Sequence, residues 1–591
     1  FPNILTDEAV NDVACDFVRD KIRGIVNDAT TAAALSPKDY PLGVKRICID
    51  TGYFATYNLP HVKLVDVSTT PIERFTTEGI VVDGTEYKFD AIVSATGFAA
   101  MTGSFDKIAI TGRGGQTLAE KWRAGPRAYL GLASEGFPNL FMITGPGSPS
   151  VLASMIQAIE QHVDWVVERI AALRDAGFTT MEATDTAQAG WERHMADCAT
   201  LTLHRLANTW YTGANVPGKP QGVMPYTGGV GPYRSICNEV VGRGMLGFRL
   251  TGPGVAEQCN DGEVVRLQPD VRLVLGMLAE MNLPPIETMG AQGARDFLTE
   301  FNKGRPAGRP VGEVGTGMLQ GADGPLPYKL YRPATAGPHP IVVYFHGGGW
   351  VLGDELSDDP FCRDLCRRTG MIIVSVGYRH APEHRFPAAA EDGYAATRWI
   401  AAHADELGGR PGPVLVAGWS AGGNIAAVTC QLARDRGGPE ISGQLLICPV
   451  TDSTFDRQSY VDNAAGYFLT RGLMFWFWDL YCSPADRTDP RVAPLRGKLE
   501  GLPPAFIATA EFDPLRDEGN AYGDALAKAG VKVEQLKGNG HFHSSFVMVD
   551  VIITGVAGRV KMAKALRRFA GLPEEVEQDN VATPQVNAAA N

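Results

Sequence analysis

A serine between two glycines is the first feature of this sequence that could perform chemistry. The motif Gly-Trp-Ser-Ala-Gly at 418–422 directly follows the apolar run 414–417 and opens a helical pattern. A strand, a sharp turn and a helix in this order raise the serine hydroxyl above a sheet. The helix N-terminus then favours negative charge that develops beside the hydroxyl. The arrangement therefore predicts Ser420 as a nucleophile.

A glycine-rich segment upstream could supply a second part of the same chemistry. His-Gly-Gly-Gly-Trp at 346–350 follows the apolar run 341–345. Glycines in such a loop let backbone N–H groups approach a substrate oxygen, and the N–H of Ala421 would join them. The two segments together predict an oxyanion hole beside Ser420.

A carboxylate and a histidine must follow in the chain to complete a catalytic triad in the order serine, acid, histidine. The segment 511–517 lies just past the apolar run 505–508 and carries Glu511, Asp513 and Asp517, of which we select Asp513. An acid in this place can orient the imidazole that takes the serine proton.

Two histidines compete for the role of general base. His541 and His543 stand in Gly-His-Phe-His at 540–543, after the predicted strand 531–536. One of them must accept the serine proton and return it to the leaving group. A His-x-His pair can also ligate a metal, but no further ligands cluster near this pair in the sequence, and no metal site is predicted.

Regular elements must hold these residues in place. Apolar runs and helical patterns alternate through the second half of the chain, which predicts a parallel sheet covered on both faces. The predicted strands are 341–345, 372–376, 414–417, 445–448, 505–508 and 531–536, and the predicted helices are 271–281, 291–302, 388–403 and 421–435. In the first half, Asp83-Gly84 predicts a hairpin over 80–87, 62–66 and 91–94 predict strands, and 151–176 predicts a long helix closed by Gly177.

The segment 264–572 resembles the hormone-sensitive-lipase family of α/β-hydrolases. Four motifs in the family's order carry the resemblance: 346–350, Tyr-Arg-His-Ala-Pro-Glu-His at 378–384, Gly-Trp-Ser-Ala-Gly-Gly-Asn at 418–424, and Asp-Pro-Leu-Arg-Asp-Glu-Gly at 513–519. The resemblance implies hydrolysis of small-molecule carboxylic esters without a cofactor, beneath a helical cap built partly from the segment before His346. It implies Asp513 as the acid and Gly348 and Gly349 as oxyanion donors.

Two positions depart from this family's pattern. The Gly-x-x-His spacing favours His543 as the base, but Ser544-Ser545 replaces the family's Gly-Phe, so His541 stays an alternative. Gly377 stands where the family usually has an acid before Tyr-Arg.

Residues 1–252 resemble the C-terminal half of a Baeyer–Villiger flavin monooxygenase of the cyclohexanone type. The matching stretches are Asp-Tyr-Pro-Leu-Gly-Val-Lys-Arg at 39–46, Ala-Thr-Gly-Phe at 95–98, Phe-Pro-Asn-Leu-Phe at 137–141, Gly-Pro-Gly-Ser-Pro-Ser at 145–150 and 210–219. The resemblance implies a partial Rossmann-type domain, in which Thr96, Gly97 and Met155 lie near the cofactors. An intact enzyme of this family uses FAD and NADPH to convert a ketone into an ester or lactone.

The glycine-rich turns that would seat those cofactors are missing from the sequence. No Gly-x-Gly-x-x-Gly follows a strand, and the nearest candidate, 228–233, has the wrong spacing. The family carries both turns upstream of the matching region. We therefore expect this chain, which begins at Phe1, to lack an upstream FAD- and NADPH-binding part.

Composition narrows the class of protein further. A net charge of −12 over 591 residues argues against nucleic-acid binding, and no apolar run is long enough for a membrane span. Ten cysteines without a Cys-x-x-Cys pair, and no signal peptide, favour a cytoplasmic enzyme. No feature indicates an oligomeric state.

The sequence thus predicts four segments and one function. The segments are a partial monooxygenase domain (1–252), a linker (253–263), an α/β-hydrolase with its cap (264–572) and a disordered tail (573–591). The function is a bifunctional fusion of monooxygenase and esterase, of which this chain retains the esterase. The alternative is an esterase for unrelated small esters, whose first half is only a packing or interaction module.

Overall fold

The computed structural model describes residues 4–68, 70–303 and 308–576. They divide into two compact units, one ending at Arg266 and the other beginning at Leu267. The predicted tail lies outside the described residues from 577 onward. Among the described residues, no helix has the length and apolar character needed to cross a membrane.

The first unit combines seven helices with two small antiparallel sheets in its described residues. Its helices are α1 (Glu8–Ile25), α2 (Ala29–Leu35), α3 (Tyr53–Thr56), α4 (Leu118–Lys121), α5 (Met155–Asp175), α6 (Asp185–Thr200) and α7 (Val230–Gly242). Its strands are β1 (Ile72–Phe75), β2 (Gly79–Val82), β3 (Thr85–Lys88), β4 (Thr180–Ala183), β5 (Phe248–Thr251) and β6 (Gln258–Asn260). The sheets have the orders β1-β2-β3 and β4-β5-β6.

Local turn signals in this unit are confirmed, whereas two predicted strands are wrong. Asp83 and Gly84 both have positive φ between β2 and β3, and Gly177 follows α5 with φ 80°. The predicted strands 62–66 and 91–94 are irregular, and no described strand pairs with them. The predicted linker 253–263 contains β6, which pairs with β5. The described part of the unit holds no parallel strand pair, so the Rossmann-type sheet expected here is not formed by these residues.

The second unit is built around one eight-stranded sheet. Its strands are β7 (Glu313–Gly321), β8 (Gly324–Arg332), β9 (Ile341–Phe345), β10 (Ile372–Val376), β11 (Val414–Trp419), β12 (Ile441–Ile447), β13 (Ala505–Phe512) and β14 (Val533–Phe542). The order is β14-β13-β12-β11-β9-β10-β8-β7. The six strands from β9 to β14 pair in parallel, as predicted, while β7 and β8 form an unpredicted antiparallel hairpin at one edge.

Helices cover both faces of this sheet. They are α8 (Pro269–Glu280), α9 (Gly290–Asn302), α10 (Asp359–Thr369), α11 (Ala388–Ala402), α12 (Ala421–Asp435), α13 (Gln458–Asp462), α14 (Arg471–Tyr481), α15 (Arg516–Lys528) and α16 (Val556–Phe569). Successive residues of a strand point to opposite faces. Accordingly, Val343 and Phe345 pack with α11 and α12, whereas Val342 and Tyr344 pack with α10 and α16. Both faces of the parallel strands are therefore buried.

Candidate active site

Ser420 lies in a strained turn between the central strand β11 and helix α12. Its φ of 56° and ψ of −122° lie outside the regions that L-residues favour. The turn is closely packed, because a Cβ at Gly422 would overlap the backbone carbonyls of Phe345 and His346. Ser420 N–H donates to the Ile447 carbonyl over 2.9 Å, which fixes the turn against β12. The serine side chain is thereby held at the N-terminus of α12.

The predicted oxyanion loop follows β9, the neighbouring strand. Gly348 has φ 113°, and a Cβ there would meet the Leu352 carbonyl; a Cβ at Gly349 would overlap the Phe477 ring on α14. Only glycine suits both positions. In the described part of the chain, no protein acceptor meets the N–H groups of Gly348, Gly349 or Ala421. These three donors are thus available for an oxygen from outside the chain.

Strand register brings Asp513 and His543 together. Phe512 at the end of β13 is opposite Phe542 at the end of β14, so the residues that follow them are neighbours. His543 Nδ1 lies 2.8 Å from Asp513 Oδ2, and Leu515 N–H donates to Asp513 Oδ1 over 2.9 Å. Both side chains are buried. A carboxylate in this place holds the imidazole with its proton on Nδ1 and leaves Nε2 free to act as a base.

The competing acids and the competing histidine have other contacts. Glu511 accepts from Gly540 N–H, and Asp517 accepts from Ser459 N–H and pairs with Arg516. His541 is buried, packs on Phe546 and has its pKa lowered by that burial to about 4. Asp513 therefore contacts His543, whereas His541 is a buried packing residue.

The departure from the family pattern after His543 has a structural counterpart. Ser545 Oγ accepts from Phe542 N–H over 3.0 Å, and Ser545 N–H donates to the Phe542 carbonyl. This reciprocal pair closes the turn that carries His543. The side chain of Ser545 is fully buried, so the serine contributes to the turn rather than to solvent contacts.

Three residues that the sequence did not single out also contribute to the site. The Trp419 ring centroid lies 5.3 Å from that of His543, and Trp419 Nε1 donates to Asp358 over 2.7 Å. The Cys448 thiol lies with Asp513 and His543 in a group whose candidate ligand atoms are all within 4.8 Å of one another. Cys448 directly follows β12, and its position at that strand end is the only sequence signal that could have found it.

The acid missing at Gly377 is replaced from another loop. A Cβ on Gly377 would lie 2.7 Å from Oε2 of Glu355, so the space of the absent side chain is filled by this carboxylate. His346 lies nearby, buried and stacked on Tyr378, and burial lowers its pKa. The negative charge of Glu355 acts in the opposite direction on His346.

The residues predicted to approach a flavin lie in the first unit. Thr96 and Gly97 are exposed in an irregular segment, and Met155 begins α5. Ser150 Oγ is 3.9 Å from Met101 Sδ and 3.7 Å from Met155 Sδ, which connects the segment after Gly97 with the start of α5. No hydrogen bond joins Thr96 to Met155 among the described contacts, and their role towards a cofactor stays a prediction.

Comparison with known proteins identifies the second unit. A family model for the alpha/beta hydrolase fold matches residues 342–547. The carboxylic ester hydrolase LipN of Mycobacterium tuberculosis is 45% identical over 258 residues, which cover 42% of this chain and 68% of LipN. The chain belongs to the α/β-hydrolase family. A solved α/β-hydrolase enzyme from the metagenome of Lake Arreo is 37% identical, with a TM-score of 0.50, and the match covers 52% of this hydrolase and 99% of that chain.

The same hydrolase chain also resembles monooxygenases. The acetone monooxygenase (methyl acetate-forming) of a Gordonia species is 38% identical over 253 residues, which are 42% of this chain and 48% of the relative. A Baeyer–Villiger monooxygenase of Pseudooceanicola batsensis is 39% identical over 241 residues, 44% of its length. The chain thus spans about half the length of the monooxygenases it matches, and its resemblance to both families is confirmed.

Proposed function

We propose that this chain is a carboxylic ester hydrolase that uses Ser420, His543 and Asp513 as a triad. The observation that carries the proposal is the 2.8 Å contact between His543 Nδ1 and Asp513 Oδ2. The ring of Trp419, which directly precedes Ser420 in the chain, lies 5.3 Å from the His543 ring. The esterase relatives and the α/β-hydrolase fold support the same reaction. Small-molecule esters are the substrates that such a site accepts.

Each group has a defined step in this reaction. Ser420 attacks the ester carbonyl while His543 Nε2 takes the hydroxyl proton, and Asp513 stays ionised and stabilises the imidazolium. The N–H groups of Gly348, Gly349 and Ala421 bind the oxyanion of the tetrahedral intermediate. His543 then returns its proton to the departing alcohol. A water molecule, activated by the same histidine, releases the acid from Ser420.

Ser420→Ala tests the nucleophile. The expected loss in kcat on a short p-nitrophenyl ester is about 10⁴-fold or more, because members of a triad act as a unit. Circular dichroism and thermal unfolding should match the parent protein, since the change removes only one hydroxyl. A folded variant with near-parental turnover would exclude Ser420 as the nucleophile.

The two histidines provide a matched pair for the base. His543→Ala should reduce kcat as strongly as Ser420→Ala, whereas His541→Ala should mainly reduce stability, because His541 packs on Phe546. The measurements are kcat on the same ester and the midpoint of urea unfolding for each variant. The reverse order of damage to kcat would assign the base to His541.

We propose further that the chain is one part of a monooxygenase–esterase fusion that uses FAD and NADPH. The resemblance to monooxygenases supports this, and so does α5, whose exposed face carries apolar side chains at helical spacing. These are Ile156, Ile159, Val163, Val167 and Ile170. Such a stripe favours cover by further polypeptide. That polypeptide would carry the two glycine-rich turns for the cofactors. The ester that the first reaction forms from a ketone would then be the substrate that the second reaction cleaves.

Flavin binding tests this second proposal. The chain is purified with excess FAD and desalted, and its visible absorbance is recorded. We expect a colourless protein that still cleaves esters, because the turn that binds the FAD pyrophosphate is absent from the sequence. A longer reading frame that adds the turns should give a yellow protein with NADPH- and ketone-dependent oxygen uptake. A longer protein without flavin would favour the alternative, in which the first unit is a packing or interaction module.

A further inference from the structure

Three side chains with different ligand atoms converge just past the ends of β12, β13 and β14. The candidate ligand atoms of Cys448, Asp513 and His543 (sulfur, oxygen and nitrogen) all lie within 4.8 Å of one another. All three residues are buried, with at most 3% of their surface exposed. Thiolate, carboxylate and imidazole are the ligands that Zn²⁺ uses in proteins.

The convergence follows from the sheet. β12, β13 and β14 are adjacent and parallel, so the residues just past their ends share one edge. Cys448 has φ 43°, and its N–H donates to the Ala508 carbonyl of β13 over 2.7 Å, which directs this residue toward the neighbouring strand. Backbone geometry thus places the thiol beside the two triad members.

We propose that Cys448, Asp513 and His543 form a binding site for a thiophilic divalent cation such as Zn²⁺, and that binding switches the esterase off. The proposal rests on the triad assigned above. Zinc lies about 2–2.3 Å from each ligand atom, so atoms already within 4.8 Å of one another need only small movements to share one ion. One thiolate and one carboxylate neutralise the charge of the ion, which suits a buried site.

Proton positions explain why binding would stop hydrolysis. The thiol of Cys448 releases one proton to solvent and binds the ion as a thiolate. His543 binds through the lone pair of Nδ1, which places its ring proton on Nε2. An imidazole with a proton on Nε2 cannot accept the proton of Ser420. The hydrogen bond between His543 and Asp513 is replaced by two bonds to the ion.

The surroundings of Cys448 disfavour its thiolate form, so a bound ion must supply the energy to remove the thiol proton. Burial and the neighbouring Asp513 carboxylate raise the pKa of Cys448 well above its usual value. A bound cation reverses that effect, because a coordinating thiol is deprotonated outright.

Metal inhibition of single variants tests the site. The intact chain is incubated with Zn²⁺, and esterase activity is expressed relative to the metal-free rate of the same variant. At free Zn²⁺ about ten times the dissociation constant, about one tenth of the activity should remain, since only the metal-free fraction retains its base. Cys448→Ala should keep most of its own activity at this concentration, and EDTA should restore the parent. Cys482→Ala, which removes a different buried thiol, should be inhibited like the parent.

Metal binding is measured separately from activity. Cd²⁺ bound to a thiolate absorbs in the ultraviolet, and the absorbance should rise in parallel with inhibition in the parent. The same band should appear in Ser420→Ala, which lacks the nucleophile but keeps all three ligands, so failure of this proposal is distinguishable from failure of the triad. Exposed Cys48 and Cys259 are accounted for by the difference between parent and Cys448→Ala, or Cys448→Ser if the first variant does not fold. Equal inhibition of parent and Cys448 variants, or inhibition of the parent without the band, would overturn the proposal.

Discussion

Replacing Ser420 with glycine should make the protein more stable while it abolishes hydrolysis. The backbone of Ser420 has φ 56° and ψ −122°, a conformation that costs a residue with a Cβ about 1–3 kcal/mol. Glycine removes that strain but loses about 0.5–1 kcal/mol through the greater freedom of its unfolded state. Ser420→Ala keeps the Cβ and therefore keeps the strain. From the middle of both ranges, the glycine variant should exceed the alanine variant by about 1 kcal/mol in free energy of unfolding.

The assay compares the two inactive variants by calorimetry of the intact chain. At about 2 °C or more per kcal/mol for a large domain, the unfolding transition of the hydrolase unit should be about 2–4 °C higher in Ser420→Gly than in Ser420→Ala. Ser375 provides the control, because it is a buried serine in β10 that does not have positive φ. There, glycine should be less stable than alanine. Equal midpoints for the two Ser420 variants would refute the argument that this turn stores strain.

Two further predictions concern the oxyanion loop and the buried histidine. Gly349→Ala should lower kcat/KM for a p-nitrophenyl ester by about 10²-fold or more, as loss of one oxyanion donor does. The reason is that the added Cβ displaces the loop from the Phe477 ring. Adding Phe477→Ala to this variant should restore part of the lost activity. His541, neutral in the folded protein with a pKa lowered to about 4, takes up a proton on unfolding below pH 6.5. The free energy of unfolding should fall by about 2 kcal/mol from this residue between pH 7 and pH 5, and urea titrations of His541→Gln at both pH values should show a smaller fall than the parent.

The parallel strands could be predicted because each is a short, continuous apolar run buried on both faces. The hairpin of β7 and β8 could not, since glycines and prolines at 315, 317, 325 and 327 weaken any strand pattern. For the segment 91–94 the error is the reverse, because a strand is predicted and none is formed. Ile92 and Val93 favour a strand but are largely exposed, and a strand requires a neighbour to accept its hydrogen bonds.

The same reasoning separates the parts of the site that could be predicted from those that could not. Ser420, Asp513 and His543 each belong to a motif with its own spacing, so local sequence could single them out as candidates. Cys448 belongs to none, and it enters the site only because β12 lies between β11 and β13. Glu355 likewise fills the space at Gly377 through a loop that no spacing rule connects with that position. Contacts that depend on the order of the strands or on the path of a loop can be identified only once the fold is known.

The contact between Phe477 and Gly349 joins a helix that tolerates substitution to a loop whose glycines are closely packed. Gly348 and Gly422 are in backbone contacts that leave no room for a larger residue. Phe477, by contrast, belongs to α14, in the segment between β12 and β13, and reaches the oxyanion loop only with its side chain. Mutations in α14 can therefore reshape the space above the donors without disturbing their positions. Substitutions in α14 could therefore change which esters the enzyme accepts while the groups that carry out the reaction stay the same.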